Sequence, residues 1–299
     1  MTAAVRLAVF RQRLAASGPG WALASPAVVW LMVFSVLPIG LMVAMSFWKS
    51  NIYGTRPDFI FDNYRRVFAN SLYVNQLLTT LRISVSTTVI SLLVSYPIAL
   101  MLSRLKGAFK PTFVLLLFIP FWSSYVVRTF VWLPILGRSG AINQALLWLG
   151  VIDQPLDFLL YNEGAVLLGL VYVFTLFMTL PIYVTLDKLD PALLEAANDL
   201  GARPLQTFAR VIVPLSLPGV MSGSIMVLLL AVGAYVTPQL LGGPSGLMFG
   251  NIIAAQFLSD NNWAFGSALA VVMMAVVLTI LMIAGRFVGL QQAFSGGHG

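Results

Sequence analysis

Residues 187–219 read DKLDPALLEAANDLGARPLQTFARVIVPLSLPG. Asp190 is a favourable helix N-cap, and Pro191 suits the first helical position because the N–H that proline lacks would have no intrahelical partner there. Gly201 stands where a left-handed C-terminal cap is expected. The pattern therefore predicts a short helix over 191–200 that is followed by a sharp turn.

The predicted helix carries one apolar stripe, because four of its small or apolar residues recur at helical spacing. These residues are Leu193, Leu194, Ala197 and Leu200. Arg203-Pro204 begins a second helix, and Pro214 and Pro218 mark the start of an apolar segment. An amphipathic hairpin lying on a membrane surface would explain the stripe. A short, capped, projecting helix with Glu195 among alanines is better suited to a partner's groove.

The composition of the whole chain indicates whether its surface faces water or a lipid bilayer. Of 299 residues, 59% are hydrophobic and 9% are charged, whereas soluble domains carry roughly a quarter charged residues. So few charges cannot cover a surface in water, and a membrane helix needs about 20 apolar residues. We therefore expect an all-α polytopic membrane protein with six transmembrane helices. The predicted spans are 26–47, 78–103, 111–136, 163–186, 214–238 and 264–286.

Loop charge predicts the orientation. Ten of the 17 lysines and arginines lie on the side of the N-terminus or in the short loops that share that side. Because positive residues in short loops are retained in the cytoplasm, both termini are expected there. The sequence divides into a cytoplasmic arm (1–22), a single membrane domain (23–290) containing the inward loop 187–214, and a flexible tail (291–299).

Several kinds of chemistry are excluded by residue type. The chain has no cysteine, and its single histidine, His298, is the second-last residue. No Walker-type phosphate loop occurs, because none of the four lysines follows a glycine. We therefore expect no catalytic residue, no metal site and no nucleotide site, so that this chain is not an enzyme.

One pattern within the inward loop is specific. Glu195-Ala196-Ala197 is followed after three residues by Gly201 and after nine more by Val-Ile-Val-Pro, ending at Pro214. This arrangement resembles the EAA loop of bacterial ABC-importer permeases, whose pattern ends I-x-L-P, with Val213 here in place of leucine. Further motifs are similar to the spermidine/putrescine permease subfamily (PotB/PotH type). They are Phe61-Asp62-Asn63-Tyr64, Gly137-Arg138-Ser139-Gly140, Asn143-Gln144, Tyr161-Asn162-Glu163, Val236-Thr237-Pro238 and Leu241-Gly242-Gly243-Pro244.

The resemblance implies a type I ABC-importer permease fold in a bacterial inner membrane. It implies four kinds of partner: two ATP-binding cassette subunits, a second and different permease chain, a periplasmic binding protein and membrane lipid, with no nucleic acid. ATP and magnesium would be bound by the partner subunits, so this chain carries no cofactor. Helix 191–200 would be the coupling helix. The residues implied in ATPase coupling are Glu195, Ala196, Ala197, Gly201, Arg203 and Pro214.

A polyamine cargo would be contacted by carboxylates and by aromatic faces. Candidate pathway residues in the outer half are Trp122, Tyr125, Glu163, Tyr172, Tyr235 and Asp260. For most of them an interfacial or solvated position is the simpler reading. Arg82 and Arg128 count against a simple cation path, because an intramembrane arginine is costly and is a functional candidate by default.

Other functions remain open at this stage. An ABC permease for an opine or amino-acid derivative, thiamine, iron(III) or an anion would share the same loop. An ion-coupled secondary transporter would need ionisable residues near the bilayer centre, and spans one, four, five and six contain none. An intramembrane hydrolase would need a base to activate its nucleophile, which this composition does not offer.

Overall fold

A computed structural model describes residues 25–51, 54–107 and 109–295, with side chains from 287 onward and at position 51 excluded. This part of the chain is mostly helical. Its helices are α1 Ser25–Met45, α2 Asp62–Ala69, α3 Ser71–Arg104, α4 Phe109–Trp122, α5 Tyr125–Phe130, α6 Trp132–Leu136, α7 Ala141–Trp148, α8 Glu163–Asp187, α9 Pro191–Asp199, α10 Pro204–Val232, α11 Val236–Leu241, α12 Phe249–Leu258 and α13 Trp263–Ser295. A short antiparallel hairpin, β1 Lys49–Asn51 and β2 Gly54–Arg56, follows α1.

Five of these helices are long and apolar enough to cross a membrane: α1, α3, α8, α10 and α13. A sixth crossing is possible where α4 and the segment Tyr125–Trp148 form a pair bent by 90°. The six predicted spans therefore correspond to five single helices and one broken element. Two of the shorter helices, α2 and α12, lie in the segments between predicted spans.

The third span was predicted as one segment, 111–136, and the structure breaks it. The backbone is extended at Ser123 and Ser124, between the end of α4 and the start of α5. Pro120 lies in a 3₁₀ turn just before the break. A proline and two serines favour termination here, because proline removes a backbone donor and serine competes for backbone hydrogen bonds.

The predicted bounds of the fifth span, 214–238, are wrong at both ends. Helix α10 starts ten residues earlier, at Pro204, and ends at Val232. A wider π-helical turn at Phe208–Ile212 lies directly before Pro214. Proline in a regular helix would clash with the carbonyl of residue i−4, and a widened turn relieves that clash. The helix therefore continues where a boundary was expected.

The centre of the fold is the packing of α3, α8 and α10 against one another. Ile83, Leu170 and Met178 are completely buried there. Helices α8 and α10 approach closely at Gly219, where an added Cβ would lie 2.6 Å from the Pro181 carbonyl oxygen. Small residues at a helix contact permit such backbone approach, as is typical of membrane helix pairs.

A second apolar cluster joins α13 to α2, α10 and α12. Val67, Val232, Phe249 and Phe265 are buried in it. The predicted cytoplasmic arm, 1–22, lies outside the described residues. The predicted tail, 291–299, is described only as far as Ser295, where α13 ends. The division into one membrane domain with two terminal extensions stays a prediction.

Candidate coupling hairpin and transport pathway

Residues 190–207 form a structure that we call the capped hairpin: helix α9, a turn, and the first turn of α10. Asp190 is the N-cap of α9, and its Oδ1 accepts a hydrogen bond of 2.9 Å from the Ala192 N–H. Pro191 occupies the first helical position. Both features are as the sequence predicts, and together they fix the residue at which α9 begins.

The C-terminal end of α9 is closed by two backbone hydrogen bonds. The Gly201 N–H donates to the Asn198 carbonyl at 2.8 Å, and the Ala202 N–H donates to the Ala197 carbonyl at 3.0 Å. Gly201 has φ +75°, which a residue with a Cβ adopts at a cost. This is a Schellman motif, so the glycine sets the direction in which the chain leaves α9.

The second helix is capped where it begins. The Arg203 N–H donates to Oε1 of Gln206 at 2.9 Å, which satisfies one of the free donors at the start of α10. Arg203, the residue before α10, is exposed, and so is Pro214 within that helix. The two helices of the capped hairpin are thus each fixed by their own sequence, and among the described residues no buried ion pair contributes.

The capped hairpin divides its apolar residues between two surfaces. Leu194 packs against the main core and Ala197 is half-buried, whereas Leu193 is 47% and Leu200 is 88% exposed. Leu205, on the second helix, is 77% exposed. The single stripe inferred from the sequence is therefore split, and a set of leucines points away from the body of the protein.

Glu195 and Ala196 lie on the exposed side of α9. Within the described residues, Glu195 forms no ion pair. An exposed carboxylate beside uncovered leucines has the composition of a binding surface, which combines an apolar centre with polar groups at its edge. Of the predicted coupling residues, Ala197 alone is partly turned inward.

The predicted pathway residues fall into separate places. Tyr125 and Tyr235 lie beside two helix breaks, the one before α5 and the one between α10 and α11. The Tyr125 hydroxyl is 2.7 Å from Oγ1 of Thr237, which is also 3.3 Å from Oγ1 of Thr129. These hydroxyls join the two breaks. Irregular backbone at membrane depth is tolerated inside protein or beside water, and here the two breaks meet through hydrogen-bonded hydroxyls.

A different group surrounds Arg128. The guanidinium carbon lies 4.3 Å from the centre of the Phe121 ring. Trp132 packs edge-to-face on Tyr172, with ring centres 5.6 Å apart. Arg128, Phe121, Trp132 and Tyr172 all line one cavity of 700 Å³, which we call the Arg128 cavity. Tyr172 is thus placed with an arginine rather than with a carboxylate.

The remaining candidates lie at or beside helix ends. Glu163 forms an ion pair with Arg82, joining the first turn of α8 to α3. Asp260 is exposed and accepts a hydrogen bond from the Gln256 amide. Trp122 is 86% exposed at the end of α4. The structure does not bring these three residues into one group, and within the described residues no cluster of acidic side chains suits a metal ion.

Sequence reasoning missed Thr237, Phe121 and Trp132. Thr237 belongs to the motif Val236-Thr237-Pro238, which the resemblance had already marked, so its proline could have indicated a helix start with a buried hydroxyl beside it. Nothing in the residue spacing indicated that Phe121 would stack on Arg128, because the two residues lie on opposite sides of the break in the third span.

Comparison with known proteins supports the same architecture. Residues 13–289 match the family "Binding-protein-dependent transport system inner membrane component". The chain is 38% identical over 260 residues to the spermidine/putrescine transport system permease protein PotB of Escherichia coli K12, covering 87% of this chain and 94% of that protein. It is also 38% identical over 263 residues to PotB of Haemophilus influenzae, covering 86% and 91% of the two chains.

Among solved structures, the fold is similar to that of a chain from a bacterial ABC transporter involved in the import of the acidic polysaccharide alginate. The TM-score is 0.74 at 18% identity, and the alignment covers 93% of this chain and 97% of the other. At that identity the likeness concerns the fold alone. It is the fold of a type I ABC-importer permease, as the sequence predicts. The chain belongs to the family of inner-membrane components of binding-protein-dependent transport systems.

Proposed function

We propose that this chain forms half of the membrane pathway of an ATP-driven polyamine importer and that the capped hairpin transmits the action of the ATPase. The observation that carries the proposal is the hairpin itself. It is fixed at both ends by its own caps, yet it presents Leu193, Leu200 and Glu195 to no partner within the described residues.

The construction of the hairpin suits force transmission. A helix whose two ends are capped behaves as a rigid short element. Leu194 anchors it to the core, while Phe208, just after the turn, packs on Tyr96 of α3 with ring centres 5.8 Å apart. Movement of the hairpin would therefore act on both α10 and α3. Closure of two ATPase subunits would shift it, and the permease halves would rock as rigid bodies.

The pathway is proposed to pass the two helix breaks. Tyr125, Thr129 and Thr237 provide hydroxyls there, and Tyr235 is 47% exposed beside them. Tyrosine faces attract alkylammonium groups, and hydroxyl oxygens accept their N–H bonds. Glu163 is the first residue of α8 and is paired with Arg82. As a cation passes, the Glu163 carboxylate would release Arg82 and bind the cation instead.

The cargo assignment is supported by the relatives that are named for spermidine and putrescine. Sequence analysis also named other cargoes for a permease with this loop: an opine or amino-acid derivative, thiamine, iron(III) and an anion. Arg128 favours an anion locally, but the cavity that it lines includes none of Tyr125, Thr129 and Thr237. We therefore place the cation route beside Tyr125 and Tyr235, outside that cavity.

The complete importer is proposed to contain two ATP-binding subunits, a second and different permease chain, and a periplasmic binding protein. ATP and magnesium would be held by the ATPase subunits. Both termini of this chain would face the cytoplasm, which places the capped hairpin on the same side as the ATPase. The family description supports the binding protein as a partner, because it names binding-protein-dependent transport.

Uptake into proteoliposomes tests the proposal. The purified complex, with its binding protein outside and ATP inside, should accumulate radiolabelled spermidine, and unlabelled putrescine should compete. Thiamine and sulfate serve as matched competitors of other chemistry. Uptake of an anion with no uptake of spermidine would contradict the cargo assignment. Uptake that persists without the ATPase subunits would contradict the mechanism.

A further inference from the structure

The Arg128 cavity is lined by residues of α3, α4, α5, α6 and α8 and has no part in the proposed cation route. Its wall is almost wholly apolar, with Ile90, Val94 and Leu117 among the lining residues. Arg128 is the one charged residue among the described residues that line it, and no carboxylate is near enough to pair with the guanidinium. The cavity thus has a positive charge set in apolar surroundings.

Two buried hydrogen-bond donors at this cavity lack acceptors. Nε of Arg128 and Nε1 of Trp132 are both shielded from solvent, and neither has a hydrogen-bond partner among the described residues. A guanidinium and an indole can donate but cannot accept. Leaving such groups unsatisfied is unfavourable, so a ligand that offers acceptor oxygens would complete the site.

Both donors are held in place before any ligand arrives. Phe121 stacks on the Arg128 guanidinium at 4.3 Å, and Tyr172 packs against the Trp132 ring. Side chains that are already ordered lose little conformational entropy when they bind. A polyamine is disfavoured here, because its ammonium groups would be repelled by Arg128 and the described residues that line the cavity include no carboxylate.

The cavity opens on an apolar surface of the helices. Ile90 and Val94 line it and are still 38% and 43% exposed. On α5, next to Arg128, Val127 is 55% exposed. In a membrane this surface meets acyl chains. A free phosphate could occupy the donors but would leave the apolar part of a 700 Å³ cavity empty.

We propose that the Arg128 cavity binds one anionic phospholipid, with the phosphate on Arg128 and Trp132 and an acyl chain along Ile90, Val94 and Leu117. Negative charge near a membrane-embedded arginine neutralises it, and charge-assisted bonds to phosphate are stronger than neutral ones. The inference requires that the chain spans a membrane and is independent of the cargo.

Native mass spectrometry of the complete complex tests this proposal. The complex is delipidated mildly and is then titrated with phosphatidylglycerol or with zwitterionic phosphatidylethanolamine. The wild-type complex should bind one phosphatidylglycerol molecule per copy of this chain more tightly than it binds further phosphatidylglycerol molecules or phosphatidylethanolamine. Arg128→Gln should weaken that binding about tenfold or more, as expected for loss of a charge-assisted bond. Arg65→Gln, which removes an exposed arginine of α2 outside the cavity, is the control and should bind as wild type does.

Trp132→Phe keeps the ring and removes one donor, so it should weaken phosphatidylglycerol binding by a few-fold while the complex stays folded. This variant keeps the test decisive should Arg128→Gln fail to assemble. Equal binding of both lipids, or Arg128→Gln and Trp132→Phe complexes that bind phosphatidylglycerol as the Arg65→Gln complex does, would overturn the proposal. The proposal would also be overturned if the second permease chain were found to cover Arg128 in a complex that binds no lipid there.

Discussion

Replacing Gly201 by valine isolates the contribution of one turn to energy coupling. An added Cβ at Gly201 would meet no atom within 4 Å, so crowding is not the cause of any defect. The cost is conformational, because φ is +75° there. A residue with a Cβ loses about 1–2 kcal/mol in the left-handed region. Since 1.4 kcal/mol is a factor of ten, the native turn should be populated roughly tenfold less relative to altered turns.

An altered turn would rotate α9 away from its present direction and would break the bonds to Asn198 and Ala197. We therefore expect spermidine-stimulated ATP hydrolysis and spermidine uptake to fall to about a tenth in proteoliposomes. The level of the protein in the membrane should change little, because the turn is exposed and lies outside the packed core.

Two variants serve as controls for this experiment. Gly150 has φ +64° and equally open surroundings, but it lies in the loop after α7, remote from the capped hairpin in sequence. Gly150→Val should impose a similar local strain and leave coupling intact. Gly201→Asn should retain most activity, because asparagine tolerates the left-handed conformation. If Gly201→Val transports as well as Gly150→Val, the role given to the turn is refuted.

Three further outcomes are expected. Asp190→Ala removes the N-cap of α9, should destabilise that helix by about 1 kcal/mol, and should weaken binding of the ATPase subunit in a pull-down titration. Exchange of Arg82 and Glu163 for alanine, singly and together, should give a coupling energy below about 1 kcal/mol in thermal unfolding, because the ion pair is largely exposed. Thr237→Val leaves the Tyr125 hydroxyl without its partner and should destabilise the complex by about 1–2 kcal/mol, with slower spermidine uptake.

Each of these three predictions has its own control variant or contradicting result. Asp190→Asn keeps a capping oxygen and should bind the ATPase nearly as wild type does. If the double variant of the ion pair loses at least about 1 kcal/mol less stability than the sum of the single variants, the pair is stronger than an exposed pair should be. Thr237→Ser keeps the hydroxyl, so equal uptake defects in Thr237→Ser and Thr237→Val would show that the hydrogen bond to Tyr125 is not the cause.

The capped hairpin was predictable because its determinants are local. Asp190, Pro191 and Gly201 each act through the backbone of their near neighbours, and the structure shows the bonds that these residue types predict. The split of the apolar stripe was not predictable. Whether Leu194 or Leu200 faces the body depends on where α9 lies against the core, which no residue spacing within α9 determines.

The errors in the membrane spans have a similar origin. Pro214 and Pro218 were read as marking the start of a span, but the π-helical turn at Phe208–Ile212 lets α10 continue through them. Conversely, the third span was predicted as one segment because its residues are mostly apolar, and hydropathy does not indicate where a helix bends. The pairing of Arg128 with Phe121 follows from that bend and could only be seen in the folded chain.

Site-specific crosslinking from α9 tests the central claim most directly. The chain contains no cysteine, so Glu195→Cys introduces a single reactive thiol on the exposed side of the capped hairpin. With a short photoactivated crosslinker attached, the complete importer should yield an adduct between this chain and an ATP-binding subunit, and ATP should change its yield. Asp153→Cys, in the loop after α7, should give no such adduct. Adducts of the Glu195→Cys thiol with lipid alone would contradict the account.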